Sequence, residues 1–131
     1  MLNELSQRFP YQFKKNIGID IARGWVPLFT KLCEDVDAIT SDDPRGLHYK
    51  FHWVQVKEKF GTGRLHWDIS GSRERCNALI NAAQSRTTKI CIICGTEPAM
   101  PDDSGGYLLN LCEHHTKQRK SDSESFASLE I

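Results

Sequence analysis

From residue 24 to residue 39, apolar side chains return at steps of three and four: Trp25, Leu28, Phe29, Leu32, Cys33 and Val36. That period predicts one buried face of an α-helix. Pro27 suits its first turn, where a missing N–H costs nothing. Upstream, Leu2, Leu5 and Phe9 can make a turn or two of helix before Pro10, and downstream Thr40 to Gly46 reads as a loop. The period then falls to two over residues 47–60. Tyr49, Phe51 and Trp53 share one face, whereas Val54, Val56 and Phe60 share the other. The apolar side changes near Trp53, which predicts a bulge, a strong twist, or cover on both faces.

Gly61-Thr62-Gly63 is a turn signal, and residues 64–70 form a second strand with Leu65, Trp67 and Ile69 on one face. A four-residue loop, Gly61 to Arg64, sets Phe60 opposite Leu65, Val56 opposite Ile69 and Lys57 against Asp68. A slip of one residue would bring lysines against the apolar row, so the first register is preferred. Ser72 can cap a helix to about Ser85 that buries Cys76, Leu79, Ile80 and Ala83.

The pattern changes character at residue 89. Cys91-Ile-Ile-Cys94-Gly95 is followed, seventeen residues after Cys94, by Leu111-Cys112-Glu-His-His115. Thiolate and imidazole donors in two close pairs are the pattern of a tetrahedral zinc site. Gly95 allows the tight backbone of a zinc knuckle. Pro101 to Gly106 is a turn between short strands, and a helix beginning near Glu113 would carry Cys112 and His115 in its first turn. Knuckle, hairpin and helix together predict a treble clef holding structural Zn2+ through Cys91, Cys94, Cys112 and His115. His114 is the rival fourth ligand; the Cys-x2-His spacing favours His115. Four protein ligands leave no open position for chemistry, so the metal reads as a clamp.

Composition narrows the picture. The chain has 131 residues, 39% apolar and 26% charged, with 17 basic and 17 acidic side chains. Balanced charge gives no strong general attraction to nucleic acid. Cys33 and Cys76 fall on helix faces and read as small core hydrophobes rather than a disulfide, in keeping with a reduced, cytoplasmic protein. The first ten residues lack the apolar stretch of a signal peptide, and no run approaches the ~20 apolar residues needed to cross a bilayer. A local basic surface remains: Lys57, Lys59, Arg64, Arg73, Arg75 and Lys89, with Tyr49, Phe51 and Trp53 nearby, have the composition that binds single-stranded nucleic acid. The plainer reading is a solvated strand face above core aromatics. No Gly-x-Ser-x-Gly, P-loop or His-Glu-x-x-His motif is present.

Gly24-Trp25-x-Pro27-Leu28, Val56-Lys-Glu-Lys-Phe-Gly61-x-x-Arg64, Cys91-x2-Cys94-Gly95 and Leu111-Cys112-x2-His115 occur in that order. The set resembles a family of small bacterial and phage or prophage zinc-binding proteins. The resemblance implies the zinc site and a bacterial or viral cytosolic setting, and carries no activity with it. The expected fold is α+β: helices packed on a β-hairpin over residues 1–88, a treble-clef-like zinc lobe at 89–120 within the same domain, and a flexible tail at 121–131. The expected function is a non-enzymatic module that binds a host or viral protein, with Lys57, Lys59, Arg64, Arg73, Arg75 and His114 as the candidate surface. The alternatives are nucleic-acid binding through the basic hairpin, and a His-metal-finger nuclease built on His114-His115.

Overall fold

Two apolar clusters divide the chain's buried side chains, and the segment around Gly24 joins them. The computed structural model describes residues 2–14, 19–42, 51–59, 62–68 and 73–129. Helix α1 (Leu2–Arg8) leads into a 3-10 turn at Pro10–Phe13; a second 3-10 turn, Arg23–Trp25, precedes α2 (Val26–Ser41). Strands β1 (His52–Lys59) and β2 (Thr62–Asp68) form an antiparallel hairpin, followed by α3 (Arg73–Thr87). A second small hairpin pairs β3 (Met100–Asp102) with β4 (Leu109–Leu111), and α4 (Glu113–Ser121) and α5 (Ser123–Ala127) complete the order. The protein is thus mixed helix and sheet, with two antiparallel hairpins among the described residues.

The first cluster gathers Phe13, Phe29, Val36, Phe51, Trp53, Leu65 and Ile80 from α2, α3, the first hairpin and the N-terminal turns. The change of apolar face near Trp53 is met by a bulge. Trp53 pairs with Trp67 and Gln55 with His66, so Val54 is the extra residue and is 45% exposed. The insertion turns Val56 to the same cluster as Phe51 and Trp53. Glu58, two residues beyond Val56, emerges exposed at the strand end.

The hairpin register differs from the expected one by four residues. Val56 faces Leu65 and Lys57 faces Arg64, and pairing continues to Lys59 and Thr62. An even shift preserves which side chains face the core. Thr62 and Gly63 therefore belong to the strand instead of the turn. A reason lies in α3: Gly63 N donates to Thr87 Oγ1 at 2.9 Å, and a Cβ on Gly63 would stand 2.8 Å from Thr87 Cγ2. Tyr49, Phe60, Ile69 and Ser72, which also carried expectations, lie outside the described residues.

A polar element sits inside this core. Gln12 is fully buried; its Oε1 accepts from Trp53 Nε1 at 3.1 Å, and its Nε2 donates to Cys33 O at 3.0 Å. It ties the N-terminal turn to both α2 and β1, with each buried polar atom satisfied. Cys33 and Cys76 are fully buried thiols without a disulfide. Burial pushes the Cys33 thiol up to about 12 and raises that of Cys76, so both act as apolar core groups.

The second cluster comprises Ala22, Trp25, Ile90 to Ile93, Leu109, Leu111, Cys112 and Phe126. Trp25 fits the helical period of α2, yet it precedes that helix and packs here. Ile21 and Leu28 touch both clusters. Residues 19–25 are the link. Ile19 bridges Val56 in parallel, Asp20 N donates to Val56 O at 2.8 Å, and Gly24 N donates to Ile92 O at 2.9 Å. A Cβ on Gly24 would lie 2.0 Å from Cys91 O and 2.7 Å from Ile92 C, so only glycine fits.

Within the segment expected as a flexible tail, residues 121–129 carry the end of α4 and the short helix α5. Asp122 caps α5, its Oδ1 accepting from Ser125 N at 3.2 Å, and Phe126 is buried in the second cluster. One aromatic anchor and one cap offset the polar, serine-rich composition of this short segment.

Gly24→Ala should lower the stability of the metal-loaded protein by about 2–3 kcal/mol, because the clash is with backbone that cannot rotate away. Urea unfolding followed by tryptophan fluorescence checks this. A change under ~0.5 kcal/mol, the range of ordinary surface substitutions, would show that the contact is not binding.

Candidate metal centre

The knuckle is built from backbone bonds. Gly95 N donates to Cys91 O at 2.9 Å, and Cys91 N donates to Thr96 O at 3.0 Å. Gly95 has φ of +80°, a conformation open to glycine at little cost. Ile92 N donates to Asn110 O at 3.0 Å, which joins the knuckle to β4. Cys112 follows β4 directly, in extended conformation, as the residue that opens α4. Its carbonyl accepts from Thr116 N at 2.9 Å, so His115 rides on the helix's first turn.

These elements bring Cys91, Cys94, Cys112 and His115 together, with one donor atom from each inside a 4.8 Å span. Cys94 Sγ is 3.8 Å from Cys112 Sγ; His115 Nδ1 is 3.5 Å from Cys91 Sγ and 3.3 Å from Cys112 Sγ. With metal–sulfur bonds of about 2.3 Å and metal–nitrogen bonds of about 2.0–2.1 Å, tetrahedral geometry sets S···S near 3.8 Å and S···N near 3.6 Å. These three separations lie close to the edges of such a tetrahedron. A Cys3His metal site fits these residues. Cys91 and Cys112 are buried, His115 half-buried and Cys94 exposed. His114 is exposed beside the cluster, its ring centred 5.0 Å from that of His115.

Electrostatics favour the ligand forms unevenly. Burial, with the neighbouring His114 adding to it, holds His115 below the usual histidine range, toward the neutral imidazole a metal needs. Burial raises the Cys94 thiol, but Thr96, through its hydroxyl 3.1 Å away and its amide, outweighs it together with Cys91 and Cys112, and the thiol ends lowered. Cys112 is raised, by burial first and by the crowding of Cys91 and Cys94.

Arg119, four residues beyond His115, braces the second hairpin. It is 5% exposed, and its Nη1 donates to Asp102 O at 2.7 Å and to Asp102 Oδ2 at 3.0 Å, while Nη2 donates to Tyr107 O at 2.6 Å. Tyr107 and Phe126 rings lie 4.6 and 5.6 Å from its Cζ. Sequence reasoning placed Arg119 in a polar helix and missed this role; the signal was an arginine spaced on α4 toward the hairpin side. Burial raises the Asp102 carboxyl, but Ser104's hydroxyl and amide and the Arg119 guanidinium outweigh it and leave it below its usual value.

The candidate binding residues and the aromatics near them differ in exposure. Phe51 and Trp53 are fully buried and cannot stack on a ligand. Lys57 is half-buried, Lys59, Arg75 and His114 are exposed, and the side chains of Arg64 and Arg73 lie outside the described residues. Among the described residues no helix is long and apolar enough to cross a membrane. In comparison with family models, curated proteins and solved structures, nothing matches the chain.

Arg119→Met should destabilise the protein by about 2–3 kcal/mol at pH 7, because the Asp102 and Tyr107 carbonyls and the Asp102 carboxylate lose a buried cationic donor while Ser104 and Lys120 stay beside the carboxylate. A depressed carboxylate contributes stability above its unfolded value, near 4, and loses it as pH falls through the lower folded value. The gap between wild type and variant should therefore narrow below about pH 4 in parallel denaturation series. A gap that widens on acidification would contradict the pairing.

Proposed function

We propose that the chain is a small zinc-stabilised interaction module that binds another protein and catalyses no reaction of its own. The observation that carries this reading is the donor set: three thiols and one imidazole converge within 4.8 Å of one another, which suits Zn2+ and, with all four bound to one tetrahedral ion, would leave no corner for substrate or water. Cys91, Cys94, Cys112 and His115 would hold the ion as a treble clef, with the knuckle at Cys91–Gly95, the β3–β4 hairpin, and the first turn of α4. Zinc then supplies folding free energy on the order of 10 kcal/mol or more. That equals the net stability of a whole domain, about 5–15 kcal/mol, so the C-terminal lobe depends on its ion.

The five thiols free of disulfides fit a reducing, cytoplasmic setting, in a bacterial cell or an infected host. The basic hairpin gains no support as a nucleic-acid platform, since Phe51 and Trp53 face inward. A nuclease reading needs paired histidines, and the cluster uses His115 of the pair.

Elemental analysis of purified protein is expected to give one zinc per chain, with Cys94→Ser cutting retention at least about tenfold in competition with a chelator. Full retention by that variant would remove Cys94 from the site. Affinity capture with zinc-loaded protein should retain a stoichiometric protein that survives nuclease treatment and a salt rise from about 50 to 200 mM. Capture of nucleic acid that is lost over that salt range, or metal-dependent cleavage of it, would overturn the reading.

A further inference from the structure

All five cysteines lie among the described residues, and Cys94 is the exposed one. Cys33, Cys76 and Cys91 are 0% exposed and Cys112 is 7% exposed. A dissolved oxidant therefore meets Cys94 first. A second sulfur stands beside it, Cys112 Sγ at 3.8 Å. An accessible thiolate next to a sheltered one is the arrangement in which an oxidised first sulfur is trapped by the second. One contact tempers Cys94. Thr96 Oγ1 lies 3.1 Å from its Sγ, where the hydroxyl can donate to a thiolate and draw charge from it.

The chemistry balances with hydrogen peroxide as the oxidant. The Cys94 sulfur attacks one peroxide oxygen; an S–O bond forms, the O–O bond breaks, and the leaving hydroxide takes up a proton to become water. The Cys112 thiolate then attacks the Cys94 sulfur; the S–S bond forms, the S–O bond breaks, and a second hydroxide leaves and is protonated to water. The two sulfurs together lose two electrons, and one peroxide gains them. Sulfurs bonded at about 2 Å cannot also stand at the ~3.8 Å edge of a tetrahedron, so the disulfide removes two of the ion's four donors.

The fold turns this exchange into a structural signal. Cys94 directly precedes Gly95, whose N donates to Cys91 O at 2.9 Å, and Cys91 O and Gly95 are both packed against Gly24. Drawing Cys94 toward Cys112 therefore moves the surface on which Gly24 rests. We propose that the metal centre is a peroxide-sensitive switch: Cys94 is oxidised, Cys112 closes a disulfide onto it, and loss of the ion releases the knuckle from Gly24. The proposal rests on the four-donor metal reading above and adds its regulation.

The test treats the zinc-loaded full chain with hydrogen peroxide and follows released zinc with a chromogenic chelator. One zinc should leave per Cys94–Cys112 disulfide, mapped by mass spectrometry after the remaining thiols are alkylated. Dimedone, which captures sulfenic acids, should tag Cys94 ahead of Cys91 and Cys112. The Gly24 amide, which donates to Ile92 O at 2.9 Å, should exchange its hydrogen at least about tenfold faster in the oxidised chain. Dithiothreitol with added zinc should restore both the ion and the protection. Thr96→Val, an exposed change that keeps the backbone bond from Cys91 N, should release zinc about fivefold faster, the scale of one hydrogen bond. Zinc retained until the thiols of the urea-unfolded chain are fully oxidised, a first tag on Cys91 or Cys112, a disulfide through Cys91, or unchanged Gly24 exchange would overturn the switch and leave the metal site standing. A chain that is purified without metal and takes up no added Zn2+ would overturn the metal reading, and the switch with it.

Discussion

The contact on which the rest of the structure depends is backbone against backbone at Gly24. The knuckle carbonyl of Cys91 accepts from Gly95 N, and the same stretch of chain forms the floor on which Gly24 lies. Gly95 closes the arrangement from the other side, its missing Cβ leaving room 3.0 Å from Gly24 O. Two glycines far apart in sequence are thus required by one approach. The segment that makes it also pairs with Val56 of the first hairpin, so it joins the two apolar clusters among the described residues. Loss of order in the knuckle would remove the floor from under Trp25 and free the start of α2.

Two buried polar groups perform a similar service within each lobe. Gln12 fastens Trp53 to the backbone of α2, and Arg119 fastens the β3–β4 turn to α4. Each replaces several water contacts with directed bonds in a dry setting, and each would leave unsatisfied partners if truncated. Their geometry limits the alternatives open to short elements with few apolar residues. Two three-residue strands and a five-residue helix hold their places because Arg119 and Phe126 pack between them.

The parts legible in the sequence were those written in local periods and spacings. The apolar steps of Trp25 to Val36 lie on α2 or at its start, the face change at Trp53 becomes a bulge, and the four spaced donors meet in space. The parts not legible depended on distant neighbours. The hairpin register was set by Thr87 reaching Gly63 from α3, which no strand pattern contains. Trp25 fits the helical stripe and still packs in the other cluster, because Gly24 must reach the knuckle. Phe126 sits in a serine-rich segment of low apolar content, yet it is buried in the second cluster beside Arg119. On the first hairpin Phe51 and Trp53 are buried and Lys59 is exposed, a division that alternation along a strand alone does not fix.

If the metal is a clamp, it acts by fixing the knuckle against Gly24, and any binding function belongs to surfaces that the clamp holds in place. The most direct test adds Co2+ to metal-free protein and records the visible and near-ultraviolet spectrum of the wild type, His115→Ala and His114→Ala. The account expects one Co2+ per chain with intense tetrahedral d–d bands and thiolate charge transfer, altered by His115→Ala and unchanged by His114→Ala. A weak octahedral spectrum, or a wild-type spectrum that responds to His114 and not to His115, would contradict it.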